Sequence, residues 1–138
     1  MKVKVSEKLD SLSSLVSKLR QSSSEIGGIA VFVGAVRGSR GDEKVVKLEY
    51  EAHESLAPKA MRTIIEESKA KYGIVDAVIE HRVGTVHIGE DVMYVVVASK
   101  HRAEAFRALP EIVDRVKHEV PIWKKEVTEK SIYWVENP

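Results

Sequence analysis

The chain has 138 residues, 43% hydrophobic and 31% charged, enough for one domain with its own core and no metal or disulfide support. Its 22 basic and 21 acidic side chains nearly cancel, so the whole-chain field offers little to nucleic acid or an anionic membrane, and any anion site must be local. The lack of cysteine excludes disulfides, thiolate nucleophiles, persulfide carriers and zinc–thiolate sites, and it speaks against a secreted disulfide-built domain.

The opening MKVKVSEKLD lacks the apolar core of a signal peptide. No segment approaches the roughly 20 apolar residues of a membrane span, so a cytoplasmic location is expected. Residues 6–20 carry Leu9, Leu12, Val16 and Leu19 on one helical face, with Ser6 as N-cap. The SSS run at 22–24 and Gly27–Gly28 break that helix. IAVFVGAV (29–36) reads as an apolar strand buried on both faces. RGSRGDEK follows as a mobile polar connection. VVKLEYEA (45–52) alternates, with Val46, Leu48 and Tyr50 inward and Lys47, Glu49 and Glu51 outward.

Helical spacing returns over 56–71 through Ala60, Met61, Ile64, Ile65 and Ser68, ending at Gly73. IVDAVIEHRV (74–83) and DVMYVVVASK (91–100) are strands joined by the turn-bearing GTVHIGE. A helix over about 102–119 puts Phe106, Leu109, Val113 and Val116 on one stripe. Pro110 interrupts it without a change of register, which predicts one kinked helix. Pro121 ends this region, and IWKKEV and SIYWVE close the chain as short strands. The order αββαββαββ lacks regular βα alternation. It predicts an α+β fold, a single domain over 1–138 with about three helices and a mainly antiparallel sheet.

Three basic clusters stand out. In KHEVPIWKKE (117–126), Lys117 belongs to the last helical turn, where the helix dipole favours a cation, and Lys124 follows the break at Pro121. A chain reversing at Pro121 brings the two amines together around Trp123. Crowding and desolvation there would lower an amine's pKa and make it a nucleophile or base near neutrality. The plainer reading is a favourable charge at a helix end followed by an edge strand guarded by lysines. In SKHRAEAF (99–106), Lys100, His101 and Arg102 stand at a helix start, where free amides with Arg and His make an anion cradle, unless the side chains simply point into water. In AVRGSRG (35–41), Arg37 and Arg40 sit in a glycine-rich loop suited to bidentate anion contact or to ordinary solvation. It is neither a P-loop nor an RGG tract. His53, His81, His87 and His118 show no HxH or HExxH spacing, so no metal site is expected.

FVGAVRG, LEYEAHESLAPKAM, HRVGTVHIGE, ASKHRAEAF and VPIWKKE, in that order, resemble the family of large (catalytic) subunits of molybdopterin synthase, from about Ile29 to Trp134. The resemblance implies an enzyme that turns cyclic pyranopterin monophosphate into molybdopterin by installing two sulfurs as a dithiolene. It implies no cofactor. The sulfur comes as a thiocarboxylate on the C-terminal Gly-Gly of a small ubiquitin-like subunit, whose extended tail enters the lysine pocket. A cysteine-free chain ending in ENP is expected to be the receiving subunit. The resemblance makes Lys117 and Lys124 the active-site lysines: Lys117 as acid–base group or transient acyl acceptor, Lys124 as oxyanion stabiliser or proton-transfer group. Arg37, the backbone of Ala35 and Val36, and His101–Arg102 are implied to hold the pterin and its phosphate, with Lys125 and Glu126 completing the pocket. It further implies a central homodimer within a heterotetramer, in which some anion-binding side chains serve the neighbouring protomer. His53 stands where the family frequently has tyrosine, Ala35 where a larger or basic residue is common, and Pro110 inside the helix is a departure.

Two rival functions follow from the same basic residues: a lysine Schiff-base enzyme acting on a phosphorylated carbonyl compound, and a non-catalytic module that binds RNA or an acidic protein. The near-zero net charge counts against the second.

Overall fold

A computed structural model describes residues 1–135. In chain order the elements are β1 (Lys2–Ser6), α1 (Leu12–Gln21), β2 (Gly28–Ala35), β3 (Ser39–Arg40), β4 (Glu43–Ala52), α2 (Leu56–Tyr72), β5 (Asp76–Arg82), β6 (Gly84–His87), β7 (Asp91–Ser99), α3 (Arg102–Glu119), β8 (Ile122–Thr128) and β9 (Ile132–Val135). They build two sheets. The first runs β1-β5-β7-β2, and the second runs β3-β4-β8-β9 with β6 also on β4. Among the described residues only the β1–β5 pair is parallel. The α+β class and the three helices are those expected from the sequence.

The first sheet is covered on both faces. Val95 and Val97 of β7 join Ile79 of β5 in the main core, under Met61, Ile64 and Ile65 of α2 and Ala105, Ala108 and Ile112 of α3. The alternate residues Tyr94, Val96 and Ala98 face Leu15 and Leu19 of α1. A strand whose two faces are both capped reads as an unbroken apolar run, and β7 is that strand. The sequence assigned this role to residues 29–36. In the structure β2 is an edge strand, and Val31 and Val33 are each 39% exposed beyond the cover of α1. Apolar runs of a central and an edge strand are alike in composition, so periodicity alone does not separate them.

The amino terminus also differs from expectation. Residues 2–6 form a strand in which Val3 and Val5 pack on the core. Lys2 and Lys4 reach Asp10, and Lys2 lies 3.0 Å from the buried Glu80. The helix begins later, capped by Ser11, whose hydroxyl accepts from the Ser14 amide, and not by Ser6. Leu9 falls before it, where the Asp10 amide donates to Glu80 at 2.9 Å.

Two segments expected to be connections form strands. RGSRGDEK folds as the β3–β4 hairpin, with Ser39 opposite Lys44 and Gly41 at φ 56° in the turn. Residues 84–87, within the supposed turn, pair with β4 as β6. In β4 the pairing with β8 slips between Val45 and Lys47. This bulge turns Val45 inward at 1% exposure and Val46 outward at 46%, reversing the expected orientation of Val46, while Leu48 and Tyr50 are buried as expected.

α2 ends as the sequence predicts, on Gly73 in the left-handed conformation (φ 70°). α3 continues through Pro110 as one element. Its buried face is Ala105, Ala108, Ile112, Val113 and Val116, so the expected stripe holds at Val113 and Val116 but fails at Phe106, which is exposed. Pro110 cannot donate to the Phe106 carbonyl one turn back, and both residues lie on the exposed side of the helix, where the loss of that bond costs least.

The joint between α3 and β8 positions the site. Val120, 4% exposed, ends the helix in extended conformation, and its amide still donates to Val116. The next residue, Pro121, offers its carbonyl to the His53 amide at 3.0 Å, tying the joint to the turn between β4 and α2. His53 also accepts from the Leu56 amide through Nδ1 (3.1 Å), so the side chain serves the start of α2.

Candidate active site

A cavity of about 740 Å³ opens where the end of β2, the last turn of α3 and the start of β8 meet. Strand register explains its cationic lining. Lys124 and Glu126 of β8 lie opposite Tyr50 and Leu48 of β4, on the face turned toward the cavity. Lys117 enters from the last turn of α3, its amine 6.0 Å from the centre of the Phe32 ring. Arg37, beyond β2, completes the lining from the opposite side. Lys117, Lys124, Arg37, Ala35 and Glu126 therefore converge as the sequence reading required.

Four residues of that reading lie elsewhere. Lys125 alternates onto the other face of β8, where its amine bonds Glu49 at 2.9 Å and lies over the Trp134 ring. The period-two alternation of a strand sends neighbours Lys124 and Lys125 to opposite sides. Val36 is buried, and its amide and carbonyl are engaged with Glu90 and Gly89. His101 and Arg102 form a separate recess with Gly27 and Lys100 at the start of α3. Fifteen residues of helix at 1.5 Å each put this recess about 22 Å from Lys117.

Lys124 is half-buried, and burial is the main reason its amine is held below the ordinary lysine range; Glu126 opposes this, while Lys117, Arg37 and Arg40 reinforce it. Glu126 is paired with Arg40 at 3.0 Å. Burial also pushes the Tyr50 phenol upward, with the Glu126 charge adding to it, so Tyr50 is a neutral donor here.

His81, dismissed by the sequence reading for want of a metal spacing, lines the same cavity. Its Nδ1 lies 2.6 Å from the Arg82 carbonyl, which can only accept, so the proton sits on Nδ1. The ring meets Tyr50 edge to face at 4.9 Å between centres. Burial lowers its pKa to about 4 against the Arg82 bond, with further lowering by Lys124 and Lys117. Nε2 makes no hydrogen bond among the described residues and is not sealed in protein, so its lone pair faces the cavity. The usable signal was position: His81 ends β5 opposite Met93, alongside β4, a relation visible only once the strands are paired.

Among the described residues no cluster of three or more histidines and carboxylates could hold a metal ion. No described helix is long and apolar enough to cross a membrane.

Fold and pocket together define a small α+β protein that sets two amines, one of them half-buried, and a guanidinium around a space fit for an anionic substrate. The model of the family described as MoaE protein matches residues 5–119. The molybdopterin synthase catalytic subunit of Pyrococcus abyssi is 49% identical over 115 residues, 83% of this chain and 78% of that protein. That of Thermoplasma volcanium is 37% identical over 129 residues, 94% and 93% of the two chains. The crystal structure of molybdopterin synthase from Staphylococcus aureus superposes with a TM-score of 0.84 at 32% identity, covering 96% of this chain and 94% of that one. The chain belongs to the MoaE family.

Proposed function

We propose that this chain is the catalytic subunit of a molybdopterin synthase, transferring sulfur from the thiocarboxylated C-terminus of a small ubiquitin-like subunit to cyclic pyranopterin monophosphate. The observation that carries this reading is the convergence of Lys117, Lys124 and Arg37 on one cavity in a chain of this family. The partner's extended Gly-Gly tail enters the cavity, and its sulfur bonds to a pterin side-chain carbon as a C–O bond there breaks, the oxygen leaving with the electron pair as water or on the phosphate. Water then takes the acyl group, leaving sulfur on the pterin and a carboxylate on the tail, and a second tail repeats the step. Lys124, deprotonated at lower pH than an ordinary lysine, moves protons or steadies the oxyanion that forms at the acyl carbon. Lys117 stands at the thiocarboxylate as acid–base group or transient acyl acceptor, and Arg37 binds the substrate's anionic end.

On this reading the recess of His101 and Arg102 serves the pocket of a second copy of the chain, giving a homodimer with one small subunit bound to each protomer. A cytoplasmic location, expected from the sequence, is part of the same proposal. The test is reconstitution with the thiocarboxylated partner and the pterin phosphate, following the dithiolene product by mass spectrometry. Product is expected with the wild type. Lys117→Ala and Lys124→Ala should lose most turnover, and Arg37→Ala should chiefly raise KM. No wild-type product, or full turnover with Lys117→Ala, would overturn the reading.

A further inference from the structure

Arg40 lies outside every sequence block that carries the family resemblance, yet its side chain lines the cavity and is held there by an ion pair and an aromatic ring. From the two-residue strand β3 its guanidinium crosses the cavity face of the second sheet. There Nη1 meets Glu126 Oε2 at 3.0 Å and the guanidinium carbon lies 4.3 Å from the centre of the Tyr133 ring. Tyr133 is itself fixed, its hydroxyl donating to Glu43 at 2.6 Å, and Glu43 is the residue paired with Arg40 across the β3–β4 hairpin. The chain Glu43–Tyr133–Arg40–Glu126 thus links four strands, β4, β9, β3 and β8. Glu126 is two residues from Lys124 on the same face of β8, and its side chain is only 12% exposed. A half-buried carboxylate beside an amine stabilises the ammonium form, unless another cation claims it.

We propose that Arg40 is a positioning residue for Lys124, taking up the Glu126 carboxylate that would otherwise pair with the Lys124 ammonium. The proposal rests on the pocket reading given above and deepens it. The other charged or titratable groups lining the same cavity are Lys117, His118 and Glu119 from α3, Arg37 from beyond β2, Tyr50 from β4 and His81 from β5. Among the described residues Arg40, and none of these groups, is bonded to Glu126, the carboxylate that opposes deprotonation. Planarity matters as well as charge. The flat guanidinium stacks on the Tyr133 ring and holds Glu126 through one Nη1–Oε2 bond at 3.0 Å.

The test uses the full chain alone, with lysines labelled at Cε and the Lys124 signal assigned by its loss in Lys124→Ala. In Arg40→Ala the Lys124 titration midpoint is expected to rise above that of wild type. Arg40→Gln, which keeps volume and removes charge, should behave alike, and Arg40→Lys should restore part of the wild-type value. The double variant Arg40→Ala with Glu126→Gln should return the midpoint to wild type or below. An unmoved midpoint in Arg40→Ala, or an equal rise in the double variant, overturns the proposal. Arg40 is 41% exposed in its side chain, so these variants fold. Because this measurement needs neither partner nor turnover, it stands apart from the proposed activity. In the reconstituted reaction at pH 7, Arg40→Ala should lower kcat about three- to tenfold, a loss that alkaline pH repairs. A rise in KM with kcat unchanged would make Arg40 a direct substrate contact and would also overturn the proposal.

Discussion

Replacing His81 with asparagine should remove one specific source of acid instability. Asparagine keeps a donor near the place of Nδ1, so the bond to the Arg82 carbonyl survives while the titrating ring is lost. In the folded chain His81 titrates at about 4, against 6.5 in an unfolded chain. A folded pKa depressed in this way means that the unfolded state binds the proton first as pH falls. The contribution to stability is therefore complete above pH 6.5 and is lost progressively down to pH 4. Linkage puts the loss at about 2 kcal/mol at pH 5 and about 3 kcal/mol at pH 4. The imidazole is buried, so solvent does not screen this cost. Urea unfolding at fixed protein concentration between pH 4 and 8 measures it as the difference between wild type and His81→Asn. Carboxylates that titrate in the same range are common to both chains and cancel. The gap between the two chains should shift in favour of the variant by that amount as pH falls. A gap that stays constant from pH 7.5 to pH 4.5 would refute the assignment of His81 as a neutral, buried imidazole.

Lys125→Ala should leave kcat/KM of the reconstituted reaction within about twofold, because its amine serves Glu49 on the outer face and about 0.5 kcal/mol or less is at stake; a loss matching that of Lys124→Ala would contradict the strand register. Mixed dimers of Lys117→Ala and Arg102→Ala chains should regain activity that neither variant has alone, since one pocket in each mixed dimer then has both an intact lysine and an intact arginine. Steady-state turnover of the mixture against each parent checks this, and no regain would mean that both residues act on the same chain's pocket.

The elements whose patterns are local were legible in the sequence. α2 announced itself by spacing and by Gly73, and Pro121 marked the end of α3. What failed depends on pairing between distant segments. Whether 29–36 is central or edge, whether Val45 or Val46 faces the core, and whether 2–6 is a strand are decided by neighbours from elsewhere in the chain. The pocket shows the same division. Lys117, Lys124 and Arg37 stand out as cations near a helix end, a proline and a glycine-rich loop, but each has an ordinary solvated reading, and the family resemblance supplies their roles. Lys125 came into the expected pocket with the family resemblance, and the alternation of a strand turns it to the other face. His81 and Tyr50 carry no local mark, since each is ordinary in its own strand and becomes chemical only where β4 and β5 come together over the cavity.

The two amines ride on different bodies, one on a rod and one on a ribbon, and Val120–Pro121 is the elbow between them. Their spacing is thus set at a joint that carries no reactive group of its own. Trimming Val120, or denying Pro121 its grip on the His53 amide, would leave every reactive group intact and still detune the instrument.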